Sequence, residues 1–157
     1  VTKEGKISKG TFSTRKIIDN GPGNSQGAIQ SVVDIAEERK ADYIKILNVG
    51  PRLVITDYFI IISARNTRLA RRISEDISTN LKKSGLLPLN TDGLNEGNWI
   101  LMDYDDFVVH IFTDEYKDYY DLERLWRDSK VIKLKKNSSG SGNTARTDKN
   151  IHKKENP

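Results

Sequence analysis

Residues 56–63, TDYFIIIS, set the tightest constraint on the fold. From Tyr58 to Ile62 both alternating sets of side chains are apolar and largely β-branched or aromatic. Such a strand has no polar side to turn toward water, so it belongs in the middle of a sheet covered on both faces. The next stretch supplies a covering layer. Residues 66–84 read as a long helix, with Asn66 or Thr67 as its cap and Gly85 as its stop. Leu69, Ile73, Ile77 and Leu81 recur every fourth residue and form its buried stripe.

The flanking segments extend this strand–helix unit. Residues 28–41 place Ile29, Val32, Val33 and Ala36 on one face of a first helix. Residues 42–49 read as a strand, broken by Asn48, Gly50 and Pro51. LPLNTDG, 87–93, is a weak strand near a sheet edge, because Pro88 cannot donate to a ladder. Strands follow at 98–103 and 106–113, and a helical region over 114–128 closes the domain. The strand–helix–strand unit is expected to be parallel and right-handed. The last hairpin must be antiparallel. The fold class is therefore mixed α/β (α+β): a single compact domain with a mixed sheet of about five strands and flanking helices.

A chain of 157 residues is expected to form one domain, and its charge is unevenly divided. Residues 1–27 carry five Lys/Arg against two Asp/Glu, a balance of +3, and residues 133–157 carry seven against two, or +5. Residues 28–132 carry fourteen against eighteen, or −4. Both ends are poor in apolar residues and cannot offset the entropy of ordering them. The expected organisation is a flexible basic extension over 1–27, a domain over 28–132 and a disordered basic tail over 133–157. A folded nucleic-acid reader would carry its positive patch on the domain, which is the reverse of this pattern. Residues 1–20, rich in Lys, Ser and Thr, read equally as the remainder of an organelle presequence or as a bacterial extension. No run of 18 apolar residues exists, so no membrane-spanning helix is expected. The absence of cysteine excludes disulfides and thiolate chemistry within these residues.

WILMDYDDFVVHIF, 99–112, holds Asp103, Asp105 and Asp106 between two apolar runs. Alternating carboxylates on one strand can hold magnesium for nucleotidyl transfer, provided a Gly-Ser phosphate loop precedes them. None does here. The favoured reading is a hairpin turn, because Asp tolerates left-handed backbone. A two-residue turn at Tyr104–Asp105 would set Trp99 directly opposite His110, on one face of the sheet. A three-residue turn with a bulge at Asp105 would place them on opposite faces. Both registers fit the sequence.

Other candidate chemistry is sparser. GNSQG, 23–27, matches the nucleophile-elbow pattern but lacks a buried strand before it. His110 reads as a hydrogen-bonded structural residue of a strand, with partner contact as its functional alternative. Arg65, Arg68, Arg71 and Arg72 gather at the start of the long helix. They read either as a phosphate contact or as a solvated face, with Glu75 and Asp76 as i,i+4 partners of Arg71 and Arg72. In YYDLERLW, 119–126, Leu122, Leu125 and Trp126 form a core-facing stripe. Among Trp99, Tyr119, Tyr120 and Trp126, one or two are expected outside the core, as in a protein-binding patch.

Taken in order, LVITDYFIIISARNTR (53–68), GLLPLNTDGLNEGNWILMDYDDFVVHIF (85–112) and YYDLERLW (119–126) resemble the Iojap-like ribosomal silencing factors. The likeness runs from about Ala28 to Ile132. The family usually reads Asp-Tyr-Gly-Asp at the hairpin, where this chain has Asp105 in the glycine's place. That favours the turn and implies some strain in it. The resemblance implies a domain nucleotidyltransferase-like in outline, without catalytic carboxylates, cofactor or metal. It implies binding to the large ribosomal subunit through ribosomal protein number fourteen, which blocks the small subunit and represses translation. Bacterial members act in the cytoplasm. Relatives in mitochondria or chloroplasts often act in subunit assembly, and several members self-associate when free, as a homodimer. Carried onto this chain, Trp99 is an aromatic anchor, and Asp103 and Glu123 offer carboxylates to basic groups. His110, Tyr120, Leu122 and Trp126 match motif positions. Asp57 matches as well, or instead holds the start of its strand. The acidic domain suits a basic ribosomal protein. The basic tails are expected to touch ribosomal RNA.

Overall fold

The computed structural model describes residues 25–134. Helix α1 (Ser25–Glu38) leads into strands β1 (Tyr43–Asn48) and β2 (Tyr58–Ala64), then helix α2 (Thr67–Lys83). Strands β3 (Asn90–Asp92), β4 (Trp99–Asp103) and β5 (Phe107–Thr113) follow. Two short helices, α3 (Asp114–Tyr120) and α4 (Leu122–Leu125), and strand β6 (Lys130–Ile132) complete the order.

The six strands form one sheet in the order β3-β4-β5-β2-β1-β6. Strand β2 runs parallel to β5, and every other neighbouring pair is antiparallel. All seven residues of β2 are buried, as its two-sided apolar pattern demands. Burying both faces takes two layers. On the first, α1 and α2 bring Ile29, Val32, Val33, Ala36, Ile73, Ile77 and Leu81 onto Ile60, Ile62, Ile100, Met102, Val109 and Ile111. On the second, Leu47, Val49, Phe59, Ile61 and Phe112 form a smaller cluster. Its cover is Tyr116 of α3, Leu122 of α4 and Trp126.

Helix α2 starts where Asn66 accepts a hydrogen bond from the Leu69 amide at 2.8 Å. It stops at Gly85, whose φ of 80° only glycine adopts at no cost. Strand β3 is an edge, and Pro88 lies outside its ladder.

Three expectations need correction. Helix α1 begins at Ser25, so three residues of the stretch read as flexible are helical, while residues 21–24 lie outside those described. The helical region at 114–128 is two pieces, because Asp121 takes a left-handed conformation (φ 44°) between them. The sheet has six strands rather than about five. Strand β6 pairs with β1 at Ile46↔Ile132, Leu47↔Val131 and Asn48↔Lys130. Three residues without a turn signal do not announce a strand whose partner lies more than eighty positions away.

Candidate functional site

The β4–β5 hairpin fixes the geometry. Its register pairs Trp99 with Phe112, Leu101 with His110 and Asp103 with Val108. The turn centres on Asp105 and Asp106, one residue later than the two-residue turn read from the sequence. The Tyr104 amide donates to the Phe107 carbonyl, and the Asp106 amide donates to the Tyr104 carbonyl, each at 2.9 Å. Asp105 has φ 71°, the conformation that suits the glycine of the resembling sequences. Trp99 and His110 therefore share a face, as diagonal rather than directly opposed neighbours.

Each aspartate of the triplet has a structural task. Asp103 Oδ1 accepts the Asp105 amide at 2.8 Å, an Asx-type turn bond. Asp105 supplies the left-handed turn. Asp106 Oδ2 accepts the Ser25 hydroxyl at 2.7 Å. That places a carboxylate at the start of α1, whose first turn holds no acid of its own. Among the described residues, no three His, Cys, Asp or Glu side chains are grouped to hold a metal ion. Ser25, the serine of GNSQG, is tied to Asp106 at the first residue of α1, and the residues before it lie outside those described.

An aromatic layer covers much of the second face. The Trp99 indole N–H donates to His110 Nδ1 at 3.2 Å. Trp99 stacks on Phe112 with centroids 4.9 Å apart and leans on Tyr120 at 4.8 Å. Phe59 meets both His110 and Trp126 edge-on, at 4.7 and 5.3 Å. His110 is only 4% exposed. Burial pushes its pKa down to about 4, so the ring is neutral at pH 7. Because Nδ1 accepts the indole hydrogen, the ring's own proton sits on Nε2. His110 thus stands behind Trp99 and acts on the surface through it.

The short helices are fastened by Glu123. Its Oε2 accepts the Tyr43 hydroxyl at 2.8 Å and Lys45 Nζ at 3.0 Å, and Lys117 Nζ lies 3.4 Å from Oε1. Burial works to raise the Glu123 pKa, but these donors outweigh it and hold the carboxyl below its usual range. The hydrogen bond to Glu123 in turn raises Lys45. Leu122 and Trp126 pack into the second core cluster. Leu125 does not complete the expected stripe. The break at Asp121 turns it outward, and it is 70% exposed. Of the four aromatic residues expected to divide, Tyr119 (80%) and Tyr120 (46%) are the two that lie outside the core.

Seven of the eight candidate residues belong to this second face or to its cover, but the eight do not form one compact cluster. Trp99, His110 and Tyr120 meet directly. Leu122, Glu123 and Trp126 lie over the β1–β2 half. Asp103 shares the face of Trp99 four residues along the strand, about 13 Å away. Asp57 lies at the same hairpin end. Its amide donates to the Asp106 carbonyl, and its carbonyl receives the amides of Val49 and Gly50. Between Trp99 and Asp103 run Leu101 and Val108, both half-buried. Helix α3 lies over β5 and β2 and reaches the Trp99 end of this strip through Tyr120. Sequence reasoning passed over Leu101 and Val108, because Trp99 to Met102 are all apolar and only the structure separates the half-buried side of β4 from its buried one.

Of the arginines on α2, Arg71 clamps the loop ahead of β4. Its guanidinium donates to the carbonyls of Leu94, Asn95 and Glu96 at 2.8, 2.6 and 3.2 Å. Arg72 pairs with Asp76 at 3.6 Å, as expected for i,i+4 neighbours.

Comparison with known proteins gives a consistent result. The family model described as "Ribosomal silencing factor during starvation" matches residues 22–156. The chain is 27% identical over 111 residues to ribosomal silencing factor RsfS of Halalkalibacterium halodurans, covering 71% of this chain and 95% of that one. It is 26% identical over 111 residues to RsfS of Bacillus subtilis, covering 71% and 94%. It is also 28% identical over 112 residues to mouse mitochondrial assembly of ribosomal large subunit protein 1, covering 68% of this chain and 49% of the relative. A solved structure from Bacillus halodurans superposes with a TM-score of 0.62 at 25% identity, covering 70% of this chain and all of that one. One from Chromobacterium violaceum has the same fold, with a TM-score of 0.63 at 23% identity, covering 75% and 95%.

Proposed function

The chain belongs to the family of ribosomal silencing factors, and on that premise we propose that it binds the large ribosomal subunit through ribosomal protein number fourteen and keeps the small subunit from docking. Translation falls because an obstacle occupies the joining face. No bond is made or broken, so the reading needs no cofactor, metal or catalytic group.

The observation that carries it is the half-covered second face. Trp99, Leu101, Asp103 and Val108 form a strip on a rigid sheet, bordered by exposed Tyr120 and backed by buried His110. An aromatic anchor, apolar neighbours and a carboxylate rim suit a basic protein partner, and the −4 balance of residues 28–132 would speed the encounter. Glu123, already bonded to Tyr43, Lys45 and Lys117, serves this reading as a fastener more than as a contact. The bacterial relatives point to cytoplasmic action. Homodimer formation off the ribosome and RNA contact by the basic ends belong to the same proposal.

Sedimentation tests it. The chain mixed with separated subunits should travel with the large one and, at saturation, prevent formation of joined ribosomes. Joining that proceeds undisturbed on a saturated large subunit would overturn the occlusion reading. A second reading, assembly of an organelle's large subunit, draws on the mouse relative and on the chloroplast Iojap protein of maize, 28% identical over 104 residues. Depletion separates the two. Loss of an assembly factor leaves immature large subunits, whereas loss of a silencing factor leaves mature ones that join freely.

A further inference from the structure

The outer surface of α3 and α4 carries a feature that the protein-binding face does not use. A groove of about 600 Å³ is lined by Arg52, Tyr119, Tyr120, Arg124, Leu125 and Arg127, with Asp121 and Asp128 among them. A second groove of about 380 Å³ shares Asp121, Arg124 and Arg127 with it, so the two arginines stand on the ridge between both. Arg52 is engaged, lying 3.6 Å from Asp128 and 6.0 Å from the centre of the Trp126 ring. Arg124 and Arg127 are exposed, and among the described residues neither has an ion-pair partner. Beside them Tyr119 stands 80% exposed, yet its ring is held. It meets Tyr120 edge-on at 5.1 Å and 89°, and Tyr120 rests on Trp99.

Two free guanidinium groups beside a braced, open aromatic ring match the chemistry of an unpaired nucleic-acid strand. Arginine forks fit phosphate oxygens, and a fixed ring offers a base a surface to stack on without losing much entropy. The neighbouring carboxylates repel phosphate and acidic peptide alike. Stacking on Tyr119 is what a nucleic acid adds through its bases and a run of acidic side chains does not.

We propose that this groove holds a short unpaired stretch of RNA, with Arg124 and Arg127 on its phosphates and Tyr119 under a base. The inference rests on the reading that the chain works on the large subunit, a particle built mostly of RNA. It gives the chain a second foothold, joined to the protein-binding face through Tyr120.

The test uses the full chain and an oligouridylate of about 12 nucleotides, followed by fluorescence anisotropy over a salt series. Arg124→Ala with Arg127→Ala should weaken binding about tenfold and reduce the slope of log affinity against log salt by about 1.4. Tyr119→Ala should weaken binding about tenfold. Tyr119→Phe should restore it. An abasic ribose-phosphate oligomer should bind wild type and Tyr119→Ala equally. Unchanged RNA affinity in both the double-arginine variant and Tyr119→Ala would overturn the proposal and assign RNA binding to the basic ends. Equal competition by polyglutamate of the same charge would overturn it in favour of an acidic protein segment. Failure is also separable from failure of the function it rests on. A chain that sediments with large subunits but shows flat RNA results loses only this groove. A chain that shows the RNA effects without subunit binding keeps the groove and loses the silencing role.

Discussion

Acidification should loosen this domain chiefly through one residue, His110. Burial holds the folded-state pKa at about 4, whereas the unfolded chain titrates near the ordinary 6.5. The folded state therefore binds fewer protons below pH 6.5, and stability must fall as pH falls. The effect is absent above the unfolded value and complete below the folded one. The full difference corresponds to about 3 kcal/mol, of which about 2 kcal/mol is lost by pH 5. The physical event is specific. A proton on Nδ1 removes the acceptor of the Trp99 indole hydrogen and leaves a charge among Phe59, Trp99 and Phe112.

Urea unfolding between pH 7 and pH 5, followed by tryptophan fluorescence, measures it. Glu123 does not interfere, since its pKa is held below the usual carboxylate range and its contribution fades only at lower pH. His110→Asn is the control. Its side-chain oxygen can replace Nδ1 as acceptor but does not titrate. The wild type should lose stability at up to about 1.4 kcal/mol per pH unit, and His110→Asn should lack that loss, keeping only what the raised Asp114 carboxyl contributes in both proteins. Equal slopes in the two proteins would refute the assignment, whatever the absolute stabilities.

Trp99→Ala should weaken large-subunit binding by about 2 kcal/mol or more, read by sedimentation at graded concentrations; unchanged binding would remove Trp99 as the anchor. Asp105→Gly should stabilise the chain by about 0.5 kcal/mol, a rise in Tm of about 3 °C, because glycine adopts φ 71° without strain. Glu123→Gln should cost about 1 to 2 kcal/mol in urea unfolding, since it leaves Lys45 and Lys117 facing each other without their counter-charge. Gly93→Ala should cost about 3 kcal/mol or more. The added Cβ would lie 2.0 Å from the Trp99 carbonyl oxygen, and Gly93 also has φ 84°, so the domain must shift the strand that carries Trp99.

What the sequence revealed follows the range of the forces involved. Strand β2 and helix α2 were legible because burial on two sides and a capped stripe are local patterns. The acid triplet was legible as a turn, but its register was not. One residue of difference between turns moves every side chain, and the choice rests on Asp103, Tyr104 and Phe107 bonding across the loop. Strand β6 and the Glu123 fastening were hidden for a common reason. Each depends on β1 or on the sheet face, roughly eighty residues earlier in the chain. Trp99 and His110 were legible as candidates from their family motif. That one is buried and holds the other follows only from their diagonal pairing.

On the proposed function, that diagonal would let a small domain present a firm binding surface from a strip only two strands wide. A tryptophan on a sheet face normally has rotamer freedom, and ordering it on binding costs affinity. Here its indole hydrogen is bound to His110, its ring rests on Phe112, and Tyr120 closes the third side. The ordering is completed during folding, so a partner on the proposed face would meet an anchor already in place. The same contacts tie the anchor to α3, and through Glu123 the short helices are tied to β1. If the anchor depends on that chain of contacts, Glu123→Gln should reduce large-subunit affinity as well as stability, through the loosened short helices. Affinity that stays at the wild-type value while stability falls would show that Trp99 needs only His110 and Phe112 to hold its place.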